Sequence, residues 1–151
     1  MDAGLHPLTS IHVHNSNAGT SVHAMETLKQ FGVVLPYMAS VRDFKTNPSG
    51  VKKLVTDLGM GYCAKVSLTS GASFLVGVDQ EVMLAEGGTV RAINSIGAKL
   101  HNGLPNKMAW SDAELIVERV EQFPDPLGLA RVEVHGYENI VLGCGVVAVW
   151  S

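Results

Sequence analysis

The chain has 151 residues, of which 46% are hydrophobic and only 17% are charged, and its formal net charge is −3 at neutral pH. This apolar content excludes a disordered segment, and a slightly negative charge with scattered basic residues argues against nucleic-acid binding. No apolar run approaches the roughly 18 residues of a membrane span, and residues 1–7 do not read as a signal peptide. We therefore expect one domain over residues 1–151, located in the cytoplasm or in an assembled particle, with no membrane contact.

Short valine-rich apolar segments, separated by glycine-containing breaks, predict a mostly β fold. Two of the breaks, Thr69–Gly71 and Glu86–Gly88, are typical of hairpin turns because glycine adopts positive φ without strain. The predicted strands are Thr9–Val13, Gly32–Met38, Tyr62–Leu68, Ser73–Val78, Glu81–Leu84, Arg131–His135 and Ile140–Val149.

Helical signals are few and short. A helix is predicted over Ser21–Phe31, where Gly32 would end it, and one or two turns are predicted within Val90–Leu100. The segment Ser111–Phe123 opens on a capping-box pattern, but its apolar spacing fits a strand equally well. Its type therefore stays open.

Cysteine and histidine residues do not form a recognisable site in the sequence. Cys63 and Cys144 lie in apolar or glycine-rich surroundings, which favours two small buried side chains over a disulfide or metal site. His12 and His14 share a face of a predicted strand, but zinc needs three or four ligands. With no nucleophile elbow and no phosphate-binding loop either, we expect neither a metal nor a cofactor.

One larger pattern extends over most of the chain. Residues Lys65–Asn106 read as strand, turn, strand and then a second hairpin, and the last twenty residues contain two apolar stretches around Gly143–Gly145. In order and spacing the chain resembles the Hint domain shared by inteins and hedgehog autoprocessing modules. Its length is close to that of an intein without an endonuclease. The resemblance implies a horseshoe of twisted antiparallel strands with one to three short helices, and it implies that Gly4 lies near Ser151.

The residues at the N-terminal splicing positions differ from those of inteins. Inteins begin with a Cys or Ser that attacks the preceding carbonyl, and the matching position is Gly4. Their Thr-x-x-His signature falls on Gly77–Gln80, where Gln80 replaces a histidine that helps to activate the scissile amide. Glutamine cannot act as a general acid or base near neutral pH.

The C-terminal splicing positions differ as well. Glu138, or its neighbour Tyr137, stands where inteins carry an assisting histidine. Val149 and Trp150 replace the final His-Asn pair, so no asparagine remains to cyclise. Ser151 keeps the type of the downstream nucleophile. Several losses in one chain indicate an abandoned active site with no catalytic residue.

Three functions remain open. The leading hypothesis is a non-catalytic Hint-like domain that acts as a structural or protein-interaction subunit, for example of a virion or phage particle, through protein partners or self-association. The second is residual self-processing, with Cys63, Cys144 or Ser151 as a displaced nucleophile. The third is binding of a small ligand in the former active-site cleft. Its polar groups would be Asp79, Gln80 and Glu138.

The final apolar stretch is the candidate interaction surface. Residues Gly143–Trp150 carry apolar side chains on both faces of a predicted strand. Such a strand is either fully buried in its own sheet or half buried with one face against a partner.

Overall fold

The fold is mostly β, as expected. A computed structural model of the protein describes residues 2–15, 19–24, 35–39, 46–48, 51–103, 114–134 and 139–150. The described part contains one short 3-10 helix, Ala92–Asn94, among fourteen strands. The strands are β1 (Ser10–Asn15), β2 (Gly19–Ala24), β3 (Leu35–Ala39), β4 (Thr46–Pro48), β5 (Val51–Gly61), β6 (Cys63–Leu68), β7 (Ser73–Gly77), β8 (Glu81–Met83), β9 (Thr89–Arg91), β10 (Lys99–Leu100), β11 (Leu115–Gln122), β12 (Leu127–Val134), β13 (Asn139–Val141) and β14 (Val147–Val149).

These strands form curled antiparallel sheets. Their orders are β2-β1-β3-β4, β10-β11-β6-β7, β12-β5 and β13-β14-β8-β9. Leu5 pairs with Val76 of β7 and with Ala130 of β12, so the N-terminal segment joins two sheets. A bridge between Ile11 and Leu142 joins two more. Within the described ranges, no helix is long and apolar enough to cross a membrane.

One main hydrophobic core draws on all four sheets. Ile11, Val66, Val82 and Ala130 come from different sheets and belong to the same buried cluster. Leu5 in the N-terminal segment is fully buried among them. Burying a leucine side chain contributes about 1.5–3 kcal/mol, so Leu5 anchors the start of the chain in the core.

Both predicted hairpin turns are confirmed. Gly71 has a φ of +92° in the turn between β6 and β7, and Gly88 has a φ of +76° in the turn between β8 and β9. An L-amino acid with a side chain is strained in this conformation, so glycine is required there.

The helix predicted over Ser21–Phe31 is wrong at its start. Residues 21–24 belong to β2, which pairs with β1 in a hairpin whose register sets Val22 opposite His12. The alternation of Thr20, Val22 and Ala24 fits this strand, and the backbone pairs with β1 rather than closing a helical turn. The prediction for residues 25–31 lies outside the described residues.

The predicted strand Ile140–Val149 is two strands. Gly145, with a φ of +99°, lies in the turn that folds β14 back onto β13. The glycine-flanked sequence 143–145 interrupts the alternation and supplies this turn, so the apolar stretch pairs with itself.

Two further segments are settled by their pairing. Ser111–Phe123 is a strand over residues 115–122, and a bulge between Val117 and Arg119 explains its uneven apolar spacing. Within Val90–Leu100 only Ala92–Asn94 is helical, since Val90 pairs with β8 and residues 99–100 pair with β11.

Candidate functional site

The N-terminal segment Asp2–His6 lies between β7 and β12 and is held by its backbone. The Leu5 N–H donates to the Ala130 carbonyl at 2.7 Å, and the Ala130 N–H donates back at 2.9 Å. On the other side, the Gly77 N–H donates to the Gly4 carbonyl at 2.9 Å. The segment therefore completes the seam between two sheets.

Asp79 holds the first described residue of this segment. The Asp2 N–H donates to Asp79 Oδ2 at 2.9 Å, and the Asp79 N–H donates to the Asp2 carbonyl at 2.9 Å. The other carboxylate oxygen of Asp79 pairs with Arg91 Nη1 at 3.3 Å. Asp79 is therefore engaged on both oxygens.

Gln80 joins the two ends of the chain. Its side-chain Oε1 accepts from the Gly4 N–H at 2.8 Å, while Nε2 donates to the carbonyls of Val149 at 2.8 Å and Glu81 at 2.9 Å. The side chain is only 1% exposed. Because one end faces a donor and the other faces two acceptors, only an amide satisfies all three partners. The polar side-chain atoms of Asp79 and Gln80 are thus hydrogen-bonded or ion-paired within the protein.

Gly4 leaves no room for a side chain. Its φ is +119°, and a Cβ there would lie 2.8 Å from Leu58 Cδ1 and 3.1 Å from the Ala130 carbonyl oxygen. A Cys or Ser at this position would need both a strained backbone and movement of its neighbours. The position therefore lacks a nucleophile and also disfavours one.

Gly77 is equally constrained, for a different reason. A Cβ on Gly77 would run into the backbone of Asp2, 2.8 Å from its carbonyl carbon and closer still to its carbonyl oxygen. The Asp2–Ala3 peptide thus lies directly on Gly77. A threonine at position 77 is incompatible with this path of the N-terminal segment.

The C-terminal positions are built into the sheet and the core. Val149 follows Ala148 in β14 and lies opposite Glu81 of β8. Trp150 is 7% exposed and belongs to the main core, and its Nε1 has no hydrogen-bond partner among the described residues. Tyr137, Glu138 and Ser151 lie outside the described residues, so no geometry is assigned to them.

Cys63 is buried, and Cys144 is partly exposed. Cys63 lies opposite Gly77 across the β6–β7 ladder, and its thiol donates to the Gly61 carbonyl at 3.6 Å. Burial, and then the nearby charge of Asp2, raises the pKa of Cys63. Burial raises the pKa of Cys144 to about 11. Since the thiolate is the nucleophile, both environments suppress reactivity.

The histidines on β1 keep their predicted alternation, with His12 opposite Val22 and His14 opposite Thr20. In the ranges that the structure describes, no three His, Cys, Asp or Glu side chains are grouped so that they could hold a metal ion.

Solved intein structures match this architecture over almost its whole length. A crystal structure of an intein from a hyperthermophile matches with a TM-score of 0.79 and 15% identity, covering 98% of this chain and 99% of that chain. The DnaB intein from Synechocystis sp. PCC 6803 matches with a TM-score of 0.76 and 12% identity, covering 99% of both chains. The domain has the Hint fold of inteins. The solution structure of the Pab PolII intein agrees, with a TM-score of 0.79 and 14% identity over 97% of this intein-like chain and 100% of that one.

No family model and no curated protein matches the sequence. Identities of this size establish the Hint fold and leave the activity of this intein-like domain to its own residues.

The structure brings together four of the positions that were predicted from the intein resemblance. Gly4, Gly77, Gln80 and Val149 form one continuous hydrogen-bonded cluster between the two ends of the described chain. Sequence reasoning missed the role of Asp2 within it. No local signal could have revealed that role, because Asp2 and Asp79 are 77 positions apart.

Proposed function

We propose that this chain is a non-catalytic intein-like domain that serves as a structural or protein-interaction subunit. The proposal rests on one observation: both polar atoms of the Gln80 amide are hydrogen-bonded within the protein, to Gly4, Glu81 and Val149. At the corresponding site an intein holds a histidine that activates a scissile bond. Here the same site clamps the two ends of the described chain together.

The N-terminal cluster supports loss of the first acyl shift. Gly4 has no side chain to attack the Ala3 carbonyl, and Gln80 has no proton to exchange near neutral pH. The Asp2 backbone is fixed by Asp79 and lies directly on Gly77. The peptide bond that an intein would cleave is therefore part of a hydrogen-bonded seam.

The C-terminal residues support loss of the last step. Cyclisation requires an asparagine side chain beside the scissile peptide, and Trp150 replaces it with an indole packed in the core. Val149 contributes only its backbone carbonyl, which accepts from Gln80. Neither residue can exchange a proton with a substrate.

Residual self-processing remains the alternative. The position of Cys63 favours self-processing, since Cys63 lies opposite Gly77 and the charge of Asp2 is close enough to raise the pKa of its thiol. The raised pKa of each thiol opposes it. Binding of a small ligand in the former cleft ranks third, because Asp79 and Gln80 are already satisfied within the protein.

The subunit role is supported by exposed apolar side chains at the end of β5. Leu58 and Tyr62 are each 44% exposed and Met60 is 68% exposed, so this corner offers an apolar surface to a partner or a second copy. The stretch Gly143–Trp150 does not contribute, because β14 lies between β13 and β8 and is mostly buried in its own sheet. A coat, neck or decoration part of a phage particle is the kind of assembly that we propose for such a small β domain.

Intact-mass spectrometry tests the non-catalytic proposal. The chain would carry a folded peptide tag before Met1 and another after Ser151, and it would be incubated with and without added thiol. We expect one unchanged species, while an active mini-intein with the same tags releases them. Fragments from cleavage before Gly4 or before Ser151 would establish self-processing and refute the proposal.

Light scattering tests the subunit role separately. The full chain is expected to self-associate, or to require a partner, through the corner at β5. Replacing Met60 by Lys should then raise the fraction of monomer, while Lys replacing the distant, exposed Glu118 should not. A monomer at high concentration that captures no partner would refute the role.

A further inference from the structure

A cavity of about 630 Å³ opens beside residues 6–10, and Gln80 is not among the residues that line it. Four pieces of chain border it: the turn at residues 6–10, residues of β6 and β7 with Ala72 before β7, Phe123 after β11, and the turn at residues 142–144. Among the described residues, none of the positions predicted from the intein resemblance lines it. The volume is within the range of small-molecule binding sites, which is about 300–1,000 Å³.

The walls of the cavity are fixed by hydrogen bonds. The Thr9 hydroxyl donates to the Leu75 carbonyl at 2.6 Å, which ties the first turn to β7. The Gly143 N–H donates to the Ser10 carbonyl at 2.7 Å, which ties the same turn to the loop between β13 and β14. A ligand would therefore enter a largely preformed site and would not need to order a loop.

The lining combines apolar surface with positive charge. Leu8, Leu75 and Phe123 supply apolar surface, and Leu8 is 61% exposed. Among the described residues, Lys65 is the only permanent cation in the lining, and no Asp or Glu lines the cavity.

The Lys65 ammonium is available to a ligand. Glu121 faces Lys65 across the β6–β11 ladder, yet the ion pairs within the described residues join Arg91 to Asp79 and Lys99 to Glu114, and none involves Lys65. A second donor lies nearby, because His6 Nδ1 accepts from the Leu8 N–H at 3.2 Å and its proton is then on Nε2. The thiol of Cys144, which stays neutral at pH 7, adds no negative charge.

We propose that this cavity binds a small organic anion with an aromatic or aliphatic body, whose carboxylate pairs with Lys65 while the body packs on Phe123, Leu75 and Leu8. The proposal goes beyond the structural role of the domain and does not depend on it. Binding would bury the apolar body against the lining side chains, which removes both from water. The carboxylate would pair with the Lys65 ammonium, and no Asp or Glu among the described lining residues would compete for that cation.

The test uses naphthoate and its neutral amide, naphthamide, as matched probes. Each is titrated into the full chain by ligand-observed NMR. Naphthoate should bind at millimolar concentration or below, and naphthamide should bind several-fold more weakly. Lys65→Gln should weaken naphthoate binding about 2- to 5-fold, as expected for an ion pair with an exposed lysine, and should leave naphthamide binding unchanged. Lys99→Gln removes an equal charge away from the cavity and should change neither.

A filled cavity provides the second arm. Ser73 is exposed at the rim of the cavity, so Ser73→Trp should abolish naphthoate binding without altering the circular dichroism spectrum or the unfolding midpoint. Alkylation of Cys144 in the wild-type chain should slow when naphthoate is present. The proposal is overturned if naphthoate does not bind at millimolar concentration. Equal affinity for naphthamide, or unchanged binding in either cavity variant, would also overturn it.

Discussion

Replacing Gln80 by Glu tests the Gln80 clamp, the set of hydrogen bonds from the Gln80 amide to Gly4, Glu81 and Val149, with the smallest change in shape. The introduced carboxylate would set an oxygen against the carbonyls of Glu81 and Val149, where the amide Nε2 now donates to both. When protonated, the carboxyl donates to only one of them, at a cost of about 1 kcal/mol for the lost bond. Burial and the facing carbonyls should raise its folded-state pKa, and a rise of about two units costs a further ~2.7 kcal/mol once the group ionises.

The expected effect therefore depends on pH. A raised folded-state pKa means that the ionisation penalty is absent below the unfolded value of about 4.3, grows as the pH rises, and is complete above about pH 6. Urea unfolding followed by tryptophan fluorescence should show a loss of about 4 kcal/mol at pH 7 but only about 1 kcal/mol near pH 4.

Gln122→Glu is the matched control because Gln122 is exposed at the end of β11. It should stay within about 0.5 kcal/mol of the wild-type chain at both pH values. A loss in Gln80→Glu that is the same at pH 4 and pH 7, or smaller than about 1 kcal/mol at pH 7, would refute the clamp.

Three further outcomes are expected. Gly4→Ala should lower the free energy of unfolding in urea by about 2–3 kcal/mol, because position 4 has a positive φ and a crowded Cβ. Gly128→Ala is the control and should leave the free energy of unfolding unchanged, because no atom lies within 4 Å of its Cβ. Equal losses in the two variants would contradict the crowding at position 4. Gly77→Thr should displace the N-terminal segment and abolish hydrogen-exchange protection of the Leu5 amide, and retained protection would show that the segment can move aside at little cost. Cys144 should react with iodoacetamide at pH 8 about two orders of magnitude more slowly than free cysteine, and faster as the pH approaches 11; rapid labelling at pH 8 would contradict its raised pKa.

Local patterns in the sequence were sufficient for the hairpins. Each hairpin turn is signalled within three residues, Thr69–Gly71 and Glu86–Gly88, by a glycine that adopts positive φ. The same kind of signal failed at Ser21, where an N-cap pattern is also a strand sequence, and pairing with β1 decided the outcome.

The longest strand could not be predicted because its partner is distant in sequence. Charged residues and two glycines interrupt the alternation of β5, and its register with β12 contains several irregularities. Pairing across some seventy residues supplies the backbone hydrogen bonds that the local pattern does not announce.

The candidate site shows the same difference between what local sequence patterns predict and what long-range contacts decide. The intein resemblance predicted that Gly4, Gly77, Gln80 and Val149 occupy splicing positions, and the structure brings these four residues together. What each one touches was not predictable, since the bond between Gly4 and Gln80 joins residues 76 positions apart. The resemblance predicts that a nucleophile is missing at Gly4, whereas the hydrogen bond from the Gly4 N–H to the Gln80 side chain is visible only in the structure.

Thiol-induced cleavage of the double variant Gly4→Cys, Gln80→His is the most direct test of our proposal that this intein-like domain is non-catalytic. The variant would carry an upstream peptide, and its intact mass would be followed below its measured unfolding midpoint, beside an active mini-intein with the same peptide. We expect no prompt cleavage, because a cysteine side chain at position 4 would be crowded and strained and a histidine could not satisfy the three partners of the amide. Misplacement of a reacting group by about 1 Å already costs about a hundredfold in rate. Prompt release of the upstream peptide from the folded double variant would contradict the proposal.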